Sequence, residues 1–182
     1  KLGIRLVHIF EDEIVHKPNV VINKLKSLLN IGKRSIYARK CAIREIYGPQ
    51  KNKFLDKYHS QGKCTSSINL GLFYKNRLVS VMTFGVPERK DKEFMFENDY
   101  YELNRYCGIF NFYIIGGATK LLKYFERTYK PKKIVSFAEK TWSVGDVYYK
   151  MGFELVDVTK PIYSVTTGRY PYIRYHKSNF KK

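Results

Sequence analysis

Tyr101-Glu102-Leu103-Asn104-Arg105-Tyr106, Gly116-Gly117-Ala118-Thr119, Ile134-Val135-Ser136-Phe137-Ala138 and Tyr148-Tyr149-Lys150-Met151-Gly152-Phe153 are the segments that decide how this chain folds. The first is a short alternating run between polar flanks, as a strand requires, and the two glycines supply a turn. From Gly116 to Tyr129 the apolar residues Ala118, Leu122, Phe125 and Tyr129 recur at i, i+4, i+7 and i+11, which places them on one side of a helix. Lys120, Lys123, Arg127 and Lys130 fall together on the other side. Ile134 to Ala138 is apolar enough for a buried strand, and a short helix near residues 144–151 followed by a strand over 153–158 completes the run.

Working outward, Leu70 to Tyr74 and Leu78 to Phe84 alternate around Lys75-Asn76, which predicts a hairpin. The charged stretch from Pro87 to Asn98 reads as a loop. Residues 33–63 carry nine Lys and Arg against Glu45 and Asp56, over one strand-like segment (Ile36 to Ile46) and one helix (Gln50 to His59). Near the start, Ile4-Arg5-Leu6-Val7-His8-Ile9-Phe10 is the apolar run of a buried strand, on which His8 reads as a hydrogen-bonded core residue. Glu11-Asp12-Glu13 is its polar exit, and adjacent carboxylates on an extended segment point in alternating directions, so no metal ligand is assigned. Pro18 then opens a helix bearing Val21, Leu25, Leu28 and Leu29, stopped by Asn30 and Gly32. A strand and helix of this length must lean on the following domain or on a part further upstream. At the other end, the segment from Val158 to Lys182 has no acid, interleaves its cations with Tyr163, Tyr170, Tyr172, Tyr175 and Phe180, and alternates like a strand around Tyr170, Tyr172 and Arg174.

Charge sets the expected partner. The 34 Lys and Arg against 16 Asp and Glu give a formal charge of +18 on 182 residues, which opposes compaction unless a polyanion neutralises it. Nucleic acid is the default, and 16 Tyr with 12 Phe add faces on which bases can stack. No apolar run is long enough to span a bilayer, so no membrane partner is expected. The three cysteines, Cys41, Cys64 and Cys107, have no metal-type spacing and cannot form a disulfide framework, which points to a reducing intracellular compartment. The chain opens with Lys-Leu-Gly rather than Met, so a fragment of a longer protein is expected.

Three families share motifs with this chain. Ile115-Gly116-Gly117-Ala118-Thr119 and Val147-Tyr148-Tyr149-Lys150-Met151-Gly152-Phe153 resemble the cofactor loop and the late Tyr-x-Lys-x-Gly-Phe element of GNAT-class acyltransferases, over roughly Ile68 to Val158. That resemblance implies acetyl-coenzyme A as cofactor, its pyrophosphate held at Gly116, Gly117 and Ala118 on a helix N-terminus, and Tyr148 or Tyr149 as general acid. Tyr113 stands where the family has Arg or Gln. Tyr101-Glu102-Leu103-Asn104-Arg105 and Ile134-Val135-Ser136-Phe137-Ala138-Glu139 are similar to segments of the Mom-type DNA modification proteins, GNAT-like enzymes that act on adenine. Over the whole length, Gly3 to Glu13, Ile36 to Cys41 and His176 to Lys182 resemble, in content and order, phage homing endonucleases related to the very-short-patch-repair nucleases.

The third resemblance, running the whole length, sets the expectation. It implies residues 1–31 as the last strand and helix of a nuclease-like domain. Residues 32–182 follow as a GNAT-like α/β domain with basic flanks, its sheet mixed and largely antiparallel with flanking helices. The implied function is sequence-guided binding of double-stranded DNA, in the cytoplasm of a phage-infected bacterial cell. It would position a Mg-dependent nuclease centre upstream of Lys1, with no cofactor in this chain and no catalytic residue assigned. Phosphate contacts are assigned to Lys33, Arg34, Lys120, Lys123, Arg127, Lys177 and Lys181. Arg39, Lys40, Arg44, Arg169 and Arg174, on candidate strands, are assigned to base edges. The alternative is a Mom-like acyltransferase or DNA base modifier using acetyl-coenzyme A.

Overall fold

The computed structural model describes residues 6–32, 34–87, 99–139, 141–142, 145–161 and 163–176. Its centre is the expected hairpin, β3 (Ile68–Tyr74) and β4 (Arg77–Gly85). Lys75 and Asn76 both take positive φ, 48° and 61°, the combination whose twist matches that of antiparallel strands. Strands β2 (Ala42–Glu45), β5 (Tyr100–Gly108) and β7 (Lys133–Val135) complete a five-stranded sheet in the order β2-β3-β4-β5-β7, antiparallel except between β5 and β7. β4 is buried from Val79 to Gly85, and because successive side chains alternate in direction, both faces of the sheet are covered. Helices α3 (Gly48–Tyr58), through Phe54 and Leu55, and α4 (Gly117–Tyr129), through Leu121, Leu122 and Phe125, supply that cover. The Phe125 ring stacks on Phe84 at 3.6 Å between centroids, which anchors α4 to the sheet. The class is the one expected, a mixed α/β fold with a mostly antiparallel sheet and flanking helices.

Three expectations are corrected. Residues 6–10 form no strand: Leu6 is 75% exposed, His8 is exposed rather than a core residue, and among the described residues no strand pairs with them. Glu11, Asp12 and Glu13 are therefore not a strand exit but the first turn of a short helix α1 (Glu11–His16), where acids complement the helix dipole. The single strand expected over Ile36 to Ile46 is two, β1 (Arg34–Tyr37) and β2, separated by a 3-10 turn over Ala38–Lys40. β1 leaves the main sheet and pairs in parallel with a strand β6 (Phe112–Ile115) that the sequence did not suggest. Residues 153–158 form no strand either, whereas α5 (Asp146–Met151) and the hairpin of β8 (Ser164–Thr167) and β9 (Tyr170–His176) carry the C-terminal part. Most of the expected loop from Pro87 to Asn98, together with Lys33, Lys177 and Lys181, lies outside the described residues.

Helix α1 and the helix after it are tied to residues that follow them in the chain. α2 (Pro18–Leu28) has Pro18 in its first turn, and Asn30 and Gly32 follow it at positive φ. Asn23 Oδ1 accepts the Asn111 amide at 3.0 Å, and the Tyr113 hydroxyl donates to Ser27 O at 3.3 Å. Lys17 Nζ donates to His59 O at 2.9 Å. α1 is clipped to β9 by Arg174, whose Nε donates to Asp12 Oδ2 at 2.8 Å and whose guanidinium lies 3.8 Å from the Phe10 ring centroid.

Candidate functional site

The parallel pair in the main sheet is short. β5 and β7 are in register only from Tyr100 opposite Lys133 to Glu102 opposite Val135; β7 then stops while β5 runs on to Gly108. β5 is also irregular there, because its pairing with β4 slips between Thr83 and Phe84, which leaves Asn104 as an extra residue between Leu103 and Arg105. Two of the backbone carbonyls freed by the divergence are answered locally, Leu103 O by Ser136 Oγ at 2.9 Å and Asn104 O by Arg105 Nη1 at 2.7 Å. Beyond them opens a cavity of about 370 Å³, at the carboxyl end of a parallel pair where α/β sheets place ligands. Asn104 and Arg105 wall it from β5, His59 from the end of α3, Lys24 from α2, Tyr148 from α5, and Glu139 and Trp142 from the segment between β7 and α5.

Two polar atoms of this wall, Asn104 Oδ1 and Arg105 Nε, are buried without a hydrogen-bond partner. A buried acceptor and donor left unanswered each cost free energy, and the Asn104 oxygen lies against Gly85, 3.0 Å from where a Cβ would stand there. His59 is held neutral: burial, then the charges of Arg105, Lys24 and Lys17, push its pKa down to about 3. Its Nδ1 accepts the Gln61 amide at 3.1 Å, which leaves the proton of the neutral ring on Nε2. Burial also lowers the ammonium pKa of Lys24, an effect Glu139 and Glu13 oppose, and Lys24 sits 4.5 Å over the Trp142 ring. Of the two tyrosines assigned as general acids, Tyr148 lines the cavity with its ring edge-on to Phe153, while Tyr149 is 56% exposed and does not line it.

Gly116 and Gly117 enter α4 as the resemblance requires, yet for separate reasons. Gly116 caps the helix in the left-handed region at φ 73° with open space around it. Gly117 is needed for closeness: a Cβ there would stand 2.6 Å from Ile114 Cγ2 and 3.0 Å from the Tyr106 hydroxyl. That hydroxyl, pushed up to about 12 chiefly by burial, is hydrogen-bonded to the backbone of Ala118, so one helix-end amide already has a partner inside the fold. Tyr113, in the place of the family's Arg or Gln, holds its hydroxyl between Ser27 O and Asn30 Oδ1, its one proton shared between them, and so ties down the end of α2.

The assigned cations are scattered. Arg39, Lys120, Lys123 and Arg127 converge on a groove between α4 and the β1 to β2 connection, but the Lys120 ammonium donates to Ala38 O at 2.9 Å and Cys41 O at 2.6 Å and holds that connection. Arg34 is exposed on β1. Arg39 and Lys40 lie on the 3-10 turn rather than on a strand. Arg44 is on the edge strand β2, where it donates to Asn76 Oδ1 and covers the Phe73 ring. Arg169 is in the β8 to β9 turn, and Arg174 is engaged by Asp12. Asn104, Arg105, His59, Lys24 and Glu139 were not assigned as site residues. The Mom-like segments around Arg105 and Glu139 were the one signal pointing at them.

Among the described residues, no group of three or more His, Cys, Asp or Glu is arranged to hold a metal ion, and no helix is long and apolar enough to cross a membrane. No protein-family model matches the chain, and no curated protein matches it. Solved structures do. A ribosomal-protein-alanine N-acetyltransferase from Brucella melitensis biovar Abortus 2308 is 13% identical over 67% of this chain and 96% of its own, at a TM-score of 0.47. An aminoglycoside acetyltransferase from an uncultured soil metagenomic sample, in complex with trehalose, superposes at a TM-score of 0.52, with 15% identity over 70% of this chain and 98% of its own. The latter likeness is one of fold alone, the mixed α/β fold of that acetyltransferase, while the nuclease resemblance finds no support in these comparisons.

Proposed function

We propose that this chain is a GNAT-like acyltransferase that modifies nucleic acid, with acetyl-coenzyme A as donor. The observation that carries the reading is the cavity where β5 and β7 diverge, walled by Asn104, Arg105, a neutral histidine and a tyrosine. The residues present fit an acyl-coenzyme A: Gly116 turns the chain into α4 without a side chain in the way, so the helix-end amides of Gly117 and Thr119 would hold a phosphate. When bound, the cofactor supplies an activated acyl group.

The rest of the chemistry belongs to this chain. Asn104 and Arg105 wall the cavity from β5 and would bound the acceptor substrate on that side. His59 is neutral at neutral pH with its proton on Nε2, so it would donate a hydrogen bond that orients the acceptor substrate, while the attacking amine gives up its own proton to water. The Tyr148 hydroxyl is the candidate to return a proton to a leaving thiolate. The charge of +18 draws a polyanion to the site.

Calorimetric titration with acetyl-coenzyme A tests this, with expected micromolar affinity and acetyl transfer to oligonucleotide that Tyr148→Phe slows by about 100-fold or more. No binding at millimolar cofactor would overturn it. A second reading, favoured by the same charge and by the order of sequence segments, is a DNA-binding region that positions an upstream nuclease, with residues 1–31 as the edge of the nuclease domain. In that case the chain binds duplex, acetyl-coenzyme A has no effect, and cleavage requires residues before Lys1.

A further inference from the structure

The groove on the other side of α4 shares no lining residue with the cavity above and meets the proposed cofactor phosphates at its Gly116 and Thr119 end. It has a volume of about 910 Å³, and no residue of α5 or β7 lines it. Its rim carries Arg39 from the 3-10 turn and Lys123 and Arg127 from α4, all exposed, and no carboxylate lines it. Lys123 and Arg127 are four residues apart, one helical turn or about 6 Å along the axis. Tyr37, 45% exposed, and the half-buried Tyr124 stand in the same walls, with the Arg39 guanidinium 5.2 Å from the Tyr37 ring centroid. Lys120 gives the groove its shape by fastening Ala38 O and Cys41 O, and its ammonium is thereby occupied.

A row of exposed cations beside aromatic faces, in a concavity too small for a duplex, is the composition that binds an unpaired nucleic-acid strand. Phosphates take the cations, and a base released from its stack lies on a ring. We infer that this groove is a binding track for single-stranded nucleic acid, with Arg39, Lys123 and Arg127 on the backbone and Tyr37 under a base. The inference deepens the proposed function, on which it rests for the strand's role as substrate, by naming the form in which that substrate arrives.

The test is fluorescence anisotropy with a labelled oligothymidylate of about 12 nucleotides, and with a duplex of the same length, between about 50 and 200 mM salt. The strand is expected to bind at least about ten-fold tighter than the duplex. Tyr37→Ala should weaken strand binding by roughly ten-fold while Tyr37→Phe retains it, because the ring rather than the hydroxyl carries the stacking. Lys123→Ala and Arg127→Ala should each reduce the salt slope by about 0.7, whereas Lys53→Ala, exposed on α3 away from the groove, should not. Circular dichroism on each variant confirms that it is folded. Equal affinity for duplex, an indifferent Tyr37→Ala, or displacement of the strand by excess acetyl-coenzyme A would each overturn the inference. Loss of strand binding in groove variants that still bind acetyl-coenzyme A separates this site from the acyl-transfer site. Cofactor binding without any strand binding would remove the track and leave the acyltransferase.

Discussion

The cavity beside β5 and the groove beside α4 are both lined with basic side chains, but they use charge in opposite ways. In the cavity, burial works against the charged forms: His59 is driven to the neutral ring and the ammonium of Lys24 is lowered. In the groove, Arg39, Lys123 and Arg127 stand exposed and remain free to meet phosphate. A count of lysines and arginines does not separate these environments. Burial does: it suppresses the charged forms in the one and leaves them standing in the other.

Because α4 is a wall of the groove and its first turn faces the proposed cofactor, the harshest way to break the comparison is to loosen that helix. Phe125→Ala removes the ring stacked on Phe84 and should cost about 3 to 5 kcal/mol in denaturant unfolding, with both ligand-binding activities falling together. Survival of either one in a chain so weakened would mean that the two regions do not share a support.

The next test acts on the cavity alone. The unfolded chain protonates His59 near pH 6.5 and the folded chain only near 3, so the unfolded state holds the extra proton between these values and stability falls as pH drops through that window. Relative to neutral pH, the loss attributable to His59 at pH 4.5 should reach up to about 2 to 3 kcal/mol. His59→Asn, which keeps an acceptor for the Gln61 amide, should abolish that part of the acid sensitivity; an unchanged profile would place the histidine in water.

Lys120→Met acts on the groove. It takes an ammonium from two carbonyls and should cost about 1 to 2 kcal/mol, deforming the groove although the lysine touches no ligand. Wild-type strand affinity in this variant would show that the turn at Ala38 holds itself. The smallest effect is expected from Arg174→Ala, about 0 to 1 kcal/mol by thermal melting, since the Asp12 pair is partly exposed. It should leave acetyl-coenzyme A and strand binding intact, and a change in the cavity alone would show that α1 is needed to hold Trp142 near Glu13.

Much of the architecture was legible because it is local. The β3 to β4 hairpin declares itself through alternation and through Lys75-Asn76, and α4 through its spacing of Ala118, Leu122 and Phe125. What could not be read depends on distant partners. The run Leu6 to Phe10 is apolar enough for a strand, but a strand needs a neighbour, and none adjoins it among the described residues. The break at Ala38–Lys40 is held by Lys120, and β6 exists as a strand only because β1 lies beside it. The cavity draws on α2, α3, β5, the segment after β7 and α5, and no spacing rule links His59 to Arg105 or Glu139. Tyr148 alone of the assigned general acids could be singled out, and only once the two faces of α5 were known.

The clip between Asp12 and Arg174 also bears on how the chain reaches this structure. The two residues are 162 positions apart, so the contact closes nearly the whole chain into a loop, at an entropic cost that only an already compact intermediate reduces. A two-stranded hairpin such as β8 and β9 is marginal in isolation, and the six-residue α1 is too short to be helical without support. Each therefore waits for the other, and both wait for the central sheet to bring the ends of the chain within reach. α1 and the β8 to β9 hairpin are therefore expected to act as one cooperative unit, the last to assemble and the first to exchange its amides with solvent.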